Sequence, residues 1–304
     1  MPAQIHVLLV SAQAAPNLLP ALDPVMKPAE AILLVSAKMQ PRAEALEKVL
    51  VQTGVKTTRV HLANEHDFDA LESTLMELAT ARDGQDIALN VTGGTKLMAL
   101  AAQSIAQAAG WSVFYVDADT DEVVWLGKPA TARHKLTEQL RLRHYLMGYG
   151  FELANGVERP QPNARHTDLL DTLLSQISSL EQSLSALNWL AQSAEDAKKL
   201  SITLTAQQQD SRSLEALLRN FENAGVLSVR GDQLVFTNEA QRSFAKGGWL
   251  EHHVFRVVTR LTGELALRDK AANLEVTDAT GVKNELDIAF MARNRLFVVE
   301  CKTA

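Results

Sequence analysis

Short apolar runs alternate with amphipathic stretches along the first 130 residues. Ile5–Val10, Ala31–Val35, Val55–Val60, Ile87–Val91 and Val113–Val116 have the length and apolar content of buried strands. Between the later ones, Arg42–Val51, Phe68–Ala79 and Leu97–Ala109 carry apolar residues at helical spacing. Such alternation predicts an α/β unit, a parallel sheet with helices on both faces. Val123–Leu126, after the polar turn Asp117–Asp121, is placed as an edge strand.

The pattern changes after residue 128. Arg, His, Tyr and Gly accumulate, and Pro160, Pro162 and Asn163 mark a linker. Leu169–Ile177, Leu184–Leu190 and Ser213–Ala224 then have helical spacing, and Val226–Val229 and Leu234–Phe236 flank the turn Arg230-Gly231-Asp232. Helices followed by a hairpin predict a winged-helix-like unit. Its last helix carries Arg219 against Glu215 and Glu222. A structural spacer is therefore favoured over a DNA reader. Gly247-Gly248 marks the next boundary, and a helix opens at Trp249-Leu250-Glu251. Its residues Leu250, Val254, Val257 and Leu261 would face the core. These boundaries give three units: 1–150, 151–245 and 246–304.

The last unit ends in two short strands, Asn284–Phe290 and Leu296–Lys302, joined by a turn at Ala292–Arg295. Side chains alternate along a strand. Leu286, Ile288 and Phe290 would share one face, and Glu285 and Asp287 the other. On the second strand Phe297, Val299 and Cys301 oppose Val298, Glu300 and Lys302. A hairpin so folded gathers Asp287, Glu300 and Lys302 on one surface. Carboxylates hold Mg²⁺ or Mn²⁺, hard ions that take oxygen ligands. A lysine two residues away can orient a water or stabilise charge on a phosphate. Glu251 would reach the same place as a further carboxylate. This is how metal-dependent nucleases of the restriction-enzyme type are built, with Asp287 and Glu300 as metal ligands.

Two loops in the first unit follow strand ends, where open α/β sheets bind ligands. One is Ser11-Ala12-Gln13-Ala14-Ala15-Pro16-Asn17. The other is Thr92-Gly93-Gly94-Thr95-Lys96, which opens a helix. Glycines admit an anion to the backbone, a helix N-terminus presents free N–H groups, and Lys96 adds a charge. Lys38 and Met39 close a third strand on the same edge. Neither GxxxxGK[ST] nor GxGxxG is present, so a mononucleotide P-loop and a dinucleotide cofactor are not indicated.

Composition adds limits. One cysteine in 304 residues excludes a disulfide framework and suits a reducing cytosol. No apolar run is long enough to span a membrane, so a soluble cytoplasmic protein is expected. The net charge is -6. Residues 246–304 carry nine basic and eight acidic groups, which makes this the least acidic unit.

The whole chain resembles the CRISPR-associated Rossmann-fold (CARF) nucleases of type III CRISPR systems. These join a CARF domain, a winged-helix-like linker and a restriction-endonuclease-like PD-(D/E)xK domain. The resemblance rests on Leu9 through Asn17, Leu33 through Ser36 with Lys38-Met39, Asn90 through Lys96, Gly248 through Glu251, Asn284 through Asp287, and Glu300-Cys301-Lys302. It implies a homodimer that binds a cyclic oligoadenylate, usually cyclic tetra-adenylate, across its two-fold axis. Binding would activate metal-dependent cleavage of DNA, RNA or both. Ser11, Gln13, Asn17 and Thr92 to Lys96 would contact the ring. Asp287, Glu300 and Lys302 would cut, with Glu251 assisting.

Such nuclease folds continue after Glu-x-Lys with a helix and a further strand, whereas here only Thr303 and Ala304 follow. The expectation is an incomplete nuclease sheet with an exposed apolar face, inactive if its scaffold is missing. A ligand-sensing regulator without nuclease activity is the alternative. A ring nuclease acting in the CARF pocket ranks last, because the loops hold no evident histidine or carboxylate.

Overall fold

The computed structural model describes residues 4–127, 133–137, 140–154 and 163–303. Pro160 and Pro162, read as linker residues, lie outside them. Five parallel strands form the first sheet: β1 (Ile5–Leu9), β2 (Glu30–Ser36), β3 (Lys56–Leu62), β4 (Ile87–Asn90) and β5 (Ser112–Asp117). β6 (Glu122–Trp125) and β7 (Arg133–Lys135) extend it antiparallel. The order is β3-β2-β1-β4-β5-β6-β7. The chain therefore winds one way from β1 through β3 and the other way from β4 onward. The crevice above the adjacent carboxyl ends of β1 and β4 is the topological switch point.

Helices α1 (Ala15–Leu22), α2 (Gln40–Gln52), α3 (Phe68–Ala81) and α4 (Lys96–Ala108) cover the sheet. Alternate residues of β1 feed two cores. Leu8 and Val10 pack on the side of α1 and α2, while Ile5, Val7 and Leu9 pack on the side of α3 and α4. Burial on both faces explains why β1 and β2 are apolar apart from His6, Glu30 and Ser36. The sequence pattern read residues 11–17 as a loop and gave no helix at α1. Pro16 and Pro20 hid it, yet Pro16 sits in the first turn, where its missing N–H has no helical partner to lose.

After α5 (Leu142–Gly148) and β8 (Glu152–Leu153) comes the middle unit. It holds α6 (Ala164–Ser175), α7 (Ile177–Asp196), β9 (Ser201–Thr203), α8 (Ala206–Gln209), α9 (Arg212–Asn223), β10 (Leu227–Arg230), β11 (Gln233–Phe236) and α10 (Glu239–Ser243). β9 joins the expected hairpin to give a three-stranded antiparallel sheet. α9 buries Leu214, Leu217, Leu218 and Phe221, one helical stripe, and Ser211 caps it.

A π-helical turn, Phe244–Gly248, leads into α11 (Trp249–Arg260), then β12 (Leu267–Thr277), β13 (Lys283–Ala292) and β14 (Arg295–Val299). The sheet order is β14-β13-β12-β8. β8, which precedes the middle unit in sequence, thus completes the last sheet through Val276 and Thr277. β12 is the longest strand, and the sequence pattern did not disclose it. Asn273 adopts φ 51° within it, and there the alternation inverts: Ala272 packs toward α11, Leu274 and Val276 toward the first domain.

The same inversion corrects the expected face of the hairpin. Ile288 and Phe290 pack with α11, but Leu286 joins Ala289 and Met291 on the opposite core. The expected exposed apolar face is also corrected. α11 covers one side of this sheet and the first domain the other, so Ile288, Ala289 and Met291 are buried. Only the edge strand leaves Phe297 and Val298 exposed. The turn is as read, with Arg293 and Asn294 both left-handed, the geometry that a two-residue hairpin needs. On α11 the buried positions are Trp249, Phe255 and Val258. Leu250, Val254, Val257 and Leu261 are only half-buried, because the helix lies between two cores rather than on one.

Candidate functional site

At the switch point the two expected loops meet. A Cβ built on Gly93 would lie 2.2 Å from the Leu9 carbonyl oxygen and 3.4 Å from Ser11 Oγ. Only glycine lets the loop after β4 press against the end of β1. Two fully buried asparagines hold this contact. Asn17 Nδ2 donates to the Leu9 carbonyl at 3.1 Å. Asn90 Nδ2 donates to Asn17 Oδ1 at 3.1 Å and to the Pro16 carbonyl at 3.0 Å. Asn90 Oδ1 accepts from the Thr92 N–H and hydroxyl at 3.0 and 2.6 Å, and Thr92 Oγ1 accepts from Val116 N–H at 2.7 Å.

The residues read as ligand contacts therefore divide. Asn17, 1% exposed, lies beneath the loops with its amide engaged, and Thr92 is tied to β5. Ser11 closes a small turn with the Gln13 N–H and carbonyl. Gln13 and Lys96 are exposed, and Gly93 and Gly94 form the floor. Thr95 caps α4 by accepting from Met98 N–H at 3.2 Å. Lys38 is 72% exposed and ion-paired to Glu65 at 3.4 Å. Met39 is half-buried and packs against the core.

At the other end of the chain, Asp287 and Glu251 lie close enough to interact. Burial, and then the carboxylates of Asp287 and Glu285, push the Glu251 carboxyl up, while Lys246 opposes them. Cys301 sits among Asp287, Glu251 and Glu300. Burial first, and then these three charges, push its thiol up to about 11, so it stays protonated at neutral pH. Asp287 Oδ2 accepts the Cys301 N–H at 2.6 Å. β14 was expected to run to Lys302, but its ladder stops at Val299. Glu300 and Lys302 are exposed beyond it. Among the described residues, no three His, Cys, Asp or Glu side chains converge as a preformed metal cage.

Two family models match this chain: the Card1 CARF domain over residues 5–145, and the Card1-like endonuclease domain over residues 238–304. The chain belongs to the CARF nucleases. Among solved structures, this CARF nuclease is similar to protein VC1899 from Vibrio cholerae, with 27% identity and a TM-score of 0.89 over 99% of this chain and 80% of that one. It is also similar to Can2 from Sulfobacillus thermosulfidooxidans, solved in complex with cyclic tetra-adenylate, with 25% identity and a TM-score of 0.80 over 98% and 79%. A type III CRISPR defence DNA nuclease activated by cyclic oligoadenylate shares the fold, with 19% identity and a TM-score of 0.59 over 99% and 40%. No curated protein is significantly similar.

In this CARF nuclease the structure adds residues that the sequence did not single out. Lys246, on the π-helical turn, faces the carboxylates while pairing with Glu195 of α7 at 2.5 Å. A π-helical turn often marks a functional site, but Gly247-Gly248 showed only a boundary.

Proposed function

We propose that the chain is a cyclic oligoadenylate-activated, metal-dependent nuclease of type III CRISPR defence, acting in the cytoplasm. The supporting observation is the pairing of two sites in one chain. A crevice floored by Gly93 lies at the switch point, and the charges of Asp287, Glu251 and Glu300 all act on Cys301. The likeness to Can2, solved with cyclic tetra-adenylate, supports that ring as the ligand.

The domains are residues 1–150 as sensor, 151–245 as spacer and 246–304 as nuclease, with β8 at the start of the spacer segment completing the nuclease sheet. In the sensor, Ser11, Gln13, Gly93, Gly94, Thr95 and Lys96 bind the ring. Asn17, Asn90 and Thr92 hold the loops that do so. A ring with two-fold symmetry fits two copies of one loop, hence a homodimer. Exposed Leu97 and Leu100, in the first two turns of α4, support such a contact beside the crevice.

In the nuclease site, Asp287 and Glu300 hold Mg²⁺ or Mn²⁺. The fit rests on charge: Asp287 pushes up the Glu251 carboxyl, and Asp287, Glu251 and Glu300 together push up the Cys301 thiol, a concentration of negative charge that a divalent cation would relieve. Mg²⁺ commonly takes one or two carboxylates together with substrate phosphate, so a complete protein cage is not needed. Bound there, the ion would polarise the phosphate and acidify a water. Lys302 stabilises charge developing on the phosphate of DNA or RNA.

The test is cleavage of supercoiled plasmid and of single-stranded DNA and RNA with Mg²⁺ or Mn²⁺, with and without cyclic tetra-adenylate. Cleavage is expected only with the ring. Glu300→Ala and Lys302→Ala should abolish it and keep ring binding. Ring binding without cleavage under either ion would make the chain a regulator instead.

A further inference from the structure

The residues proposed to cut lie past the end of the sheet that should hold them. β14 stops pairing at Val299, and Glu300 and Lys302 follow. Two fastenings hold this segment. One is the Cys301 N–H on Asp287. The other is Thr303, whose Oγ1 lies 3.1 Å from the Asn188 carboxamide on α7. With its oxygen turned to accept from that hydroxyl, the Asn188 nitrogen lies 3.1, 3.2 and 3.3 Å from the carbonyls of Lys246, Ala245 and Leu184, which share its two N–H donors. Gly247 completes the contact. A Cβ there would lie 2.7 Å from Thr303 Oγ1, and its φ of 150° suits glycine alone.

One side chain thus touches three pieces: the long helix of the middle unit, the π-helical turn that carries Lys246 and leads to Glu251, and the segment that carries Glu300 and Lys302. We propose that Asn188 is a positioning residue for the nuclease site, a latch that sets Glu300 and Lys302 against Asp287 and Glu251. The proposal rests on the nuclease reading of that site. It gives the middle unit a task beyond spacing. A shift of α7 would reach the nuclease segment through this carboxamide, with no nucleic-acid contact by the middle unit.

The experiment uses the full chain. Asn188→Ala should lower the ring-activated turnover about 10- to 100-fold, as loss of alignment does. KM and ring affinity should stay at wild-type values. Thr303→Ala should also lower the turnover, and Thr303→Ser, which keeps the hydroxyl, should retain it. The double variant should be no worse than Asn188→Ala alone, because that change already removes the contact that Thr303 makes.

A second readout does not need activity. Cys301 is the only cysteine and lies between the two fastenings. Its alkylation by iodoacetamide should quicken several-fold in Asn188→Ala and Thr303→Ala, but not in Ser185→Ala on the exposed face of α7. An inactive wild-type chain would overturn the nuclease reading and leave alkylation to decide the latch. Wild-type alkylation rates in both variants, or additive losses in the double variant, would overturn the latch.

Discussion

Asp287 accepts the main-chain N–H of Cys301 at 2.6 Å, one step beyond the last ladder pair, Ile288 with Val299. A carboxylate here replaces a main-chain carbonyl as the acceptor. The site's geometry therefore depends on an atom that also belongs to its chemistry. Asp287→Asn keeps an acceptor for Cys301 and removes the charge. Its melting temperature should stay within a few degrees of wild type while ring-dependent cleavage is lost. Asp287→Ala should lose both, since a hydrogen bond to a charged group contributes about 1.5–3 kcal/mol. Thermal denaturation beside a plasmid assay separates the two outcomes.

Glu251 gives the site a pH signature. Its folded-state carboxyl is raised by burial and by the charges of Asp287 and Glu285. Between the ordinary carboxyl value and the raised one, the folded chain holds a proton that the unfolded chain has released. Stability therefore falls as pH rises through that window. Glu251→Gln removes the charge and the effect. The variant should be more stable than wild type at pH 8 and no different at pH 4. Melting curves across this range, without divalent ions, check it; equal pH slopes would refute it.

His6 works in the opposite sense. It is 1% exposed on β1, and burial lowers its pKa to about 4. Below about 6.5 the unfolded chain gains a proton that the folded one refuses, so stability drops as pH falls toward 4. The full effect is on the order of 3 kcal/mol. His6→Leu should flatten the acid limb of the stability curve between pH 6.5 and 4. An unchanged limb in urea titrations would contradict this.

Gly93 is the steric requirement of the ligand crevice. A Cβ would meet a main-chain oxygen at 2.2 Å, and a backbone atom cannot swing aside. Gly93→Ala should cost at least about 1 kcal/mol of stability. It should also reduce cyclic tetra-adenylate affinity by more than tenfold, because the two loops must part. Calorimetric titration with the ring measures this. Retained affinity would place the ligand elsewhere.

Glu65 competes for Lys38. The pair at 3.4 Å holds an exposed ammonium on a mostly covered carboxylate at the rim of the sheet. Such a pair is worth about 1 kcal/mol at most. Glu65→Gln should release Lys38 and tighten ring binding about two- to fivefold, with a steeper salt dependence. Lys38→Ala should weaken binding and abolish the effect of Glu65→Gln. Independent effects of the two changes would remove Lys38 from the ligand edge.

Much of the first domain was legible because parallel strands buried on two faces leave continuous apolar runs, as at Val7–Val10 and Ala31–Val35. The loop after β4 was legible because Gly93, Gly94 and Lys96 carry both backbone freedom and charge. Where local pattern and tertiary demand diverge, the reading failed. Pro16 and Pro20 masked α1, and the left-handed Asn273 broke the alternation that would have revealed β12.

By itself the sequence determined most elements other than α1 and β12, the two polar loops and the residue types of an acidic site with a lysine, since these follow from periodicity and chemistry local to the chain. The tertiary structure decided the rest. Strand order placed β1 beside β4 and so created the crevice. Packing on both sides of the last sheet buried the hairpin face that looked uncovered. Contacts between residues more than a hundred positions apart, Asn188 and Thr303, hold the segment carrying Glu300 and Lys302 where its ladder ends. Such contacts depend on loop closure and shape, and these leave no periodic trace in the sequence.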